Sequence, residues 1–125
     1  MAKKNFSIKK RIHSFKYAFN GLRILLNSEH NSWIHLFASV CVLVAGFVFK
    51  ISIGEWIAVI FCIGMVFALE LVNTAIENMA DFVSKEYHQS IKKIKDLAAA
   101  AVFVGAVAAA IIGLIIFLPK IQELI

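Results

Sequence analysis

The stretch Trp56–Asp81, WIAVIFCIGMVFALELVNTAIENMAD, decides how this chain folds. From Trp56 to Leu69 it carries no charged residue, and then Glu70, Asn73, Glu77 and Asp81 follow in quick succession. At about 100° per residue these four positions fall within roughly 80° of one another on a helix, so they form a single polar stripe. An apolar run long enough to enter a bilayer therefore ends in carboxylates on one face. Carboxylates are costly in hydrocarbon, and an ionisable group on a spanning helix is a functional hypothesis whose partner must be sought.

The rest of the chain fits a membrane setting. With 125 residues, 61% of them hydrophobic, it is too apolar for a soluble domain and too short for more than one small domain, 1–125. Three apolar runs qualify as spans: about 33–49, 56–80 and 97–118. About 20 helical residues cross a hydrocarbon core of about 30 Å, so the first run is short and the second long. The segment KISIGE, Lys50–Glu55, reads as a tight turn, and FVSKEYHQSIKKIK, Phe82–Lys95, as a longer polar link.

Charge gives orientation. The chain holds 13 basic and 8 acidic residues, a net charge of +5. Lys3, Lys4, Lys9, Lys10, Arg11, Lys16 and Arg23 precede the first span, and Lys85, Lys92, Lys93 and Lys95 lie in the second link. The positive-inside rule then puts the N-terminus and the 82–95 link in the cytoplasm. Orientation accounts for the basic residues without nucleic acid as a partner. MAKKNFSIKKR lacks a short apolar core with a small-residue cleavage site, so no cleaved signal peptide is expected. Cys41 and Cys62 lie in apolar runs and read as small buried hydrophobes.

Ahead of the first span, Ile8, Ile12, Phe15, Phe19, Leu22 and Leu26 recur at steps of three and four, with Lys9, Lys16, Asn20 and Arg23 on other faces. This predicts a basic amphipathic helix over about 7–27, capped by Ser7 and lying in the cytoplasmic interface. In the third span, Gly105, Ala109 and Gly113 are four residues apart, a face that permits close helix approach. Three spans enclose little interior, so a homo-oligomer is expected to shelter the polar groups.

With Trp56 as the outer anchor, Glu70 falls about 21 Å into the bilayer, Glu77 about 31 Å and Asp81 about 37 Å. Glu29 precedes the first span, and Lys95 and Asp96 precede the third, so all three spans bring polar groups to one level. Carboxylates gathered there suit a hard cation such as Mg²⁺, which takes one or two protein carboxylates together with substrate phosphates. Taken singly, Glu29, Lys95 and Asp96 are ordinary interfacial residues; Glu70 is harder to explain as packing. No GxxxxGK[ST] or GxGxxG loop is present, so Lys95 and the basic face of the first helix would have to supply charge for phosphates. His13, His30, His35 and His88 have no zinc-site spacing.

Taken together, GLR at Gly21–Arg23, Glu29, ELVNTAIENMAD at Glu70–Asp81, EYH at Glu86–His88 and KDLAAAAV at Lys95–Val102 resemble the small prokaryotic diacylglycerol kinase and undecaprenol kinase family. The likeness covers nearly the whole chain. It implies an all-α inner-membrane homotrimer with three transmembrane helices and a surface amphipathic helix per subunit, with composite sites between subunits. It also implies transfer of the ATP γ-phosphate to a lipid alcohol, diacylglycerol or undecaprenol. Carried over, Glu70 is the catalytic base, Glu29 and Glu77 hold Mg²⁺, and Asn73, Glu86, His88, Lys95 and Asp96 contact or position nucleotide. Lys10 and Tyr17 lie near ATP on the surface helix, Lys10 where the diacylglycerol kinases have Arg. His35 stands where the diacylglycerol branch has Glu and is similar to the undecaprenol branch. Two rivals remain at this stage: a small transporter using Glu70 as a cation or proton site, and a structural oligomer without activity.

Overall fold

The computed structural model describes residues 5–125, so Lys3 and Lys4 lie outside the described residues. The fold is all-α: α1 (Ile8–Ser28), α2 (His30–Val48), α3 (Ile53–Val83) and α4 (Gln89–Glu123) follow one another with short joins. Among the described residues, α2, α3 and α4 are the three helices long and apolar enough to cross a membrane. The chain is a multi-pass membrane protein. The polar segment read as a link from Phe82 to Lys95 is mostly helical, because α3 runs on to Val83 and α4 begins at Gln89. Extending both helices pairs their polar backbone internally, which an irregular link cannot do.

Each join has a local cause. Ser7 caps α1, its hydroxyl accepting from the Lys10 backbone N–H as the sequence predicts. α2 ends at Phe49, where Lys50 N–H donates to Phe47 O at 3.3 Å and Ile51 N–H to Gly46 O at 3.1 Å. This is a Schellman closure. Its left-handed position is filled by Lys50, φ 53°, where glycine would be unstrained. Ser52 and Glu55 then form a reciprocal capping box that starts α3. Glu55 also accepts from Lys120 Nζ at 2.8 Å, which ties the far end of α4 to this turn.

The main apolar core lies at the turn end. Ile51, Val59 and Ile116 are buried there, with Val42, Leu43, Trp56 and Phe117 packed around them. A Cβ on Gly46 would lie 2.7 Å from Trp56 Cη2, so glycine lets the α3 indole seat against α2. Of the small-residue face on α4, Gly105 does meet α3, since a Cβ there would be 2.5 Å from Leu69 Cδ1. Gly113 has nothing within 4 Å and, with Ala109, lines an open apolar groove. Of the two glycines, Gly105 alone meets a neighbouring helix closely.

At the other end, Leu25 is the buried residue of α1, one position off the stripe read from the sequence, while Ile8, Ile12, Phe15 and Phe19 are exposed. The stripe therefore remains free along most of α1. Ser32, fully buried, donates to Glu29 O at 2.6 Å and Leu25 O at 3.3 Å, and Trp33 Nε1 donates to Leu26 O at 2.6 Å. These bonds fix the start of α2 on the end of α1.

Two substitutions at the turn should act in opposite directions. Lys50→Gly should raise stability by about 1 kcal/mol by relieving the left-handed conformation. Gly46→Ala should lower it by about 1–3 kcal/mol through overpacking against the indole. Reversible unfolding in detergent micelles checks both, and equal effects of the two would contradict the assigned geometry.

Candidate functional site

Glu70 is a buried carboxylate on a helix that is otherwise apolar at its level, 5% exposed in all. An isolated charge there is unfavourable unless partnered. The partner is His35 on α2, whose Nε2 lies 3.0 Å from Glu70 Oε1. α2 can deliver an imidazole at this height because its own start is fixed by Ser32 and Trp33, less than a turn earlier.

Beside Glu70 lies a small polar pocket of about 160 Å³, lined by Glu29, Asn31, Asn73, Thr74, Glu77, Ala99 and Val102 as well as Glu70 itself. α3 supplies most of it, because residues 70, 73, 74 and 77 share one face at helical spacing. Glu29 arrives from the extended residue between α1 and α2, φ −121° and ψ 115°, which turns its side chain away from both helices' regular faces. The Glu29 and Glu77 carboxyl groups line the same small pocket, Glu29 from the join and Glu77 from α3. α4 contributes only Ala99 and Val102, small and apolar, so the pocket is closed on that side without further charge. Asn73 Oδ1 and Thr74 Oγ1 are buried without a hydrogen-bond partner among the described residues. Buried polar atoms normally find partners, so two orphans beside three carboxylates are groups available to a ligand.

Nearer the α3–α4 join, a second hollow of about 340 Å³ brings together Asp81, Glu86, His88, Lys95 and Asp96. Lys95 Nζ is paired with Asp81 at 2.5 Å, and Lys92 Nζ with Asp96 at 2.6 Å. All four side chains are substantially exposed, and such pairs contribute roughly 0–1 kcal/mol. They hold cations in place without committing them.

The stripe of the sequence thus divides. Glu70, Asn73 and Glu77 face the polar pocket with Glu29, while Asp81 turns to Lys95 and joins Glu86, His88 and Asp96. Lys10 lies elsewhere, in a hollow with Phe6, Ser7, Arg11 and Ser14. Tyr17 is exposed on α1 and stacks on His13, ring centroids 6.4 Å apart. Within one chain neither reaches the pocket. Asn31 and Thr74 are pocket residues that the sequence reading does not single out. Thr74 was within reach of the stripe argument, since it is four residues after Glu70; Asn31 carried no periodic signal.

The two carboxylates Glu29 and Glu77 offer oxygen ligands of the kind Mg²⁺ takes, the rest of its shell coming from water or phosphate. Among the described residues no cluster of three or more His, Cys, Asp or Glu forms a closed protein cage for a metal. Chemically the site offers a partnered buried base candidate, a carboxylate pair, orphan polar atoms and nearby lysines, set beside an apolar groove.

Residues 16–117 match the prokaryotic diacylglycerol kinase family. An undecaprenol kinase of Bacillus subtilis (strain 168) is 44% identical over 108 residues, covering 86% of this chain and 88% of that protein. A diacylglycerol kinase of Synechocystis sp. is 35% identical over 112 residues, covering 89% of this chain and 64% of the relative. A diacylglycerol kinase of Haemophilus influenzae is 32% identical over 96 residues, covering 75% of this chain and 80% of the relative. The matched span includes both the carboxylate pocket and the Lys95–Asp96 segment. The chain therefore belongs to the prokaryotic diacylglycerol kinase family and is a membrane-embedded phosphotransferase with an alcohol acceptor.

Proposed function

We propose that the chain transfers the γ-phosphate of ATP to undecaprenol, in a Mg²⁺-dependent reaction at the polar pocket beside Glu70. The observation that carries this reading is the gathering of Glu29, Glu70, Asn73 and Glu77 around one small pocket next to an apolar groove. Undecaprenol is preferred over diacylglycerol because the undecaprenol kinase of Bacillus subtilis matches at 44% identity over nearly its full length, against 35% over 64% of the Synechocystis diacylglycerol kinase.

Glu70 accepts the proton of the acceptor hydroxyl. Its burial keeps bulk water from the attacking oxygen. Glu29 and Glu77 would hold Mg²⁺, which would neutralise charge on the transferred phosphoryl group. Asn73 orients the phosphate end of the nucleotide, and Glu86, His88, Lys95 and Asp96 receive its remainder. Lys10 and Tyr17 complete the nucleotide site from α1. Neither lines the pocket within one chain, and the homotrimer that the family resemblance implies would let neighbouring copies share each site. The N-terminus and the α3–α4 join face the cytoplasm, where ATP is, and the protein resides in the inner membrane with α1 lying in the cytoplasmic interface.

The deciding experiment supplies the purified protein in lipid vesicles with ATP, Mg²⁺ and either undecaprenol or diacylglycerol. Phosphorylated undecaprenol is expected at the higher kcat/KM. A preference for diacylglycerol would transfer the proposal to that lipid, and no lipid phosphate with either would overturn it.

Glu70→Gln should lower kcat by about 10²–10⁴-fold and leave ATP affinity within about threefold, as expected for loss of a general base. Retention of turnover would remove Glu70 from that role. Glu29→Ala and Glu77→Ala should each raise the Mg²⁺ concentration needed for half-maximal rate, and together should be non-additive because they share one ion. A double variant whose effect is the product of the two would show separate tasks. Deleting residues 1–20 should leave three inserted spans with activity reduced by about tenfold or more, since the remaining hydrophobicity suffices for insertion. Full activity in that truncation would reduce α1 to an anchor.

A further inference from the structure

His35 is the side chain that binds Glu70, and it has a second property that packing alone does not require. Glu70 lines the polar pocket, whereas His35 lines the apolar groove of about 520 Å³ between α2, α3 and α4, together with Val42, Cys62, Val66 and Ala109. The pair therefore joins two spaces of opposite character across one 3.0 Å contact. The exposure of the two side chains follows the same order: 25% for His35 and 6% for Glu70. A lipid alcohol needs such a boundary, because its hydroxyl must reach a polar site while its chain stays in apolar surroundings.

The contact also constrains the carboxylate. An imidazole nitrogen and a carboxylate oxygen at 3.0 Å require a proton between them, and with the base ionised that proton is carried on Nε2. Nε2–H then occupies Oε1 and leaves Oε2 to take a proton from a hydroxyl. Without the donor, Glu70 would have a free rotor in place of one held orientation. His35 itself is not free to wander. It lies on the α2 face that carries buried Ser32 and Gly46, and Ser32 and Trp33 fix the start of that helix on α1. The remaining polar side chain of the same face near it, Ser39, is turned onto the His35 carbonyl at 2.7 Å and does not compete for Glu70.

We propose that His35 is a positioning residue for phosphoryl transfer, holding Glu70 so that Oε2 meets the acceptor hydroxyl at the boundary between pocket and groove. This rests on Glu70 being the base. In the step, the acceptor O–H bond breaks and its proton goes to Glu70 Oε2. The oxygen forms a bond to the γ-phosphorus as the bond from that phosphorus to the ADP oxygen breaks, and Nε2–H remains on His35 throughout. A misplacement of about 1 Å at such a site can cost about 10²-fold in rate.

The test measures kcat and KM for ATP in vesicles containing undecaprenol, using His35→Gln, His35→Asn and His35→Ala. Gln retains an N–H donor at nearly the reach of Nε2, whereas Asn offers the same amide on a shorter stem. His35→Gln is expected to keep kcat within about threefold of the parent, while His35→Asn and His35→Ala lose about tenfold or more with KM for ATP unchanged. In a Glu70→Gln background, His35→Ala should add less than about twofold, because its effect passes through Glu70. Equal kcat for the Gln and Asn variants, whether both fast or both slow, would overturn the proposal, as would an Ala variant with parental kcat. The two amide variants preserve polarity at this position, so the comparison holds even where Ala disturbs insertion. A Glu70→Gln protein with parental kcat would instead remove the base assignment on which the proposal rests, and is distinguishable from a failure at His35.

Discussion

A carboxylate buried on α3 imposes conditions on every other element. Glu70 sits on α3 at the end of an uncharged run that reaches back to Trp56, and its charge is tolerable only with a hydrogen-bond donor at the same height. That donor must come from another helix, so α2 must run antiparallel to α3 with His35 in register. The register is set from both ends of α2. At one end, the Schellman closure at Lys50 and the seating of Trp56 against Gly46 fix the turn. At the other, Ser32 and Trp33 bind carbonyls at the end of α1. Moving either end would separate His35 from Glu70 and leave a buried carboxylate without its partner, which makes the two helix ends and the pair one cooperative unit.

The same constraint accounts for where the apolar core lies. Ile51, Val59 and Ile116 pack at the turn end, whereas at the site end buried Leu25, Ala80 and Ala98 are joined by the hydrogen bonds of Ser32. Packing density and polarity are thereby separated along the helices. The larger apolar cluster lies at the turn end, and the other end keeps polar atoms without partners among the described residues, Asn73 Oδ1 and Thr74 Oγ1. Proteins tolerate such orphans chiefly where a ligand meets them.

Much of this was legible in the sequence, for a physical reason. Periodicity at 3.6 residues placed Glu70, Asn73 and Glu77 on one face, and the pocket bears that grouping out. What periodicity cannot give is contact between helices. It therefore grouped Asp81 with the stripe, although Lys95 across the join draws it into the neighbouring hollow. It treated Gly105, Ala109 and Gly113 alike, although Gly105 meets α3 closely and Gly113 has nothing within 4 Å. The importance of His35 was visible only as a departure within a family resemblance, because its bond to Glu70 depends on how α2 and α3 are aligned. The polar link was overestimated for a related reason: charged residues read as loop are compatible with helix once the helix end projects beyond the apolar layer.

The exposed ion pairs at the α3–α4 join complete the physical logic of the proposed reaction. A site for a polyphosphate needs cations, yet uncompensated lysines packed at one bundle end would repel one another before the substrate arrives. Here Lys95 is held by Asp81 and Lys92 by Asp96, both in partly exposed pairs. Each pair contributes roughly 0–1 kcal/mol, so exchanging an aspartate for a phosphate oxygen costs little. A phosphate oxygen would offer each lysine a charge-assisted bond of the same kind as the aspartate does. Glu29 and Glu77 present the opposite case, two carboxyl groups that line one small pocket. Such a pair favours binding of a divalent ion for the same reason that it is uncomfortable alone. In the proposed reaction both needs would be met together, the lysines by phosphate oxygens and the carboxylates by Mg²⁺.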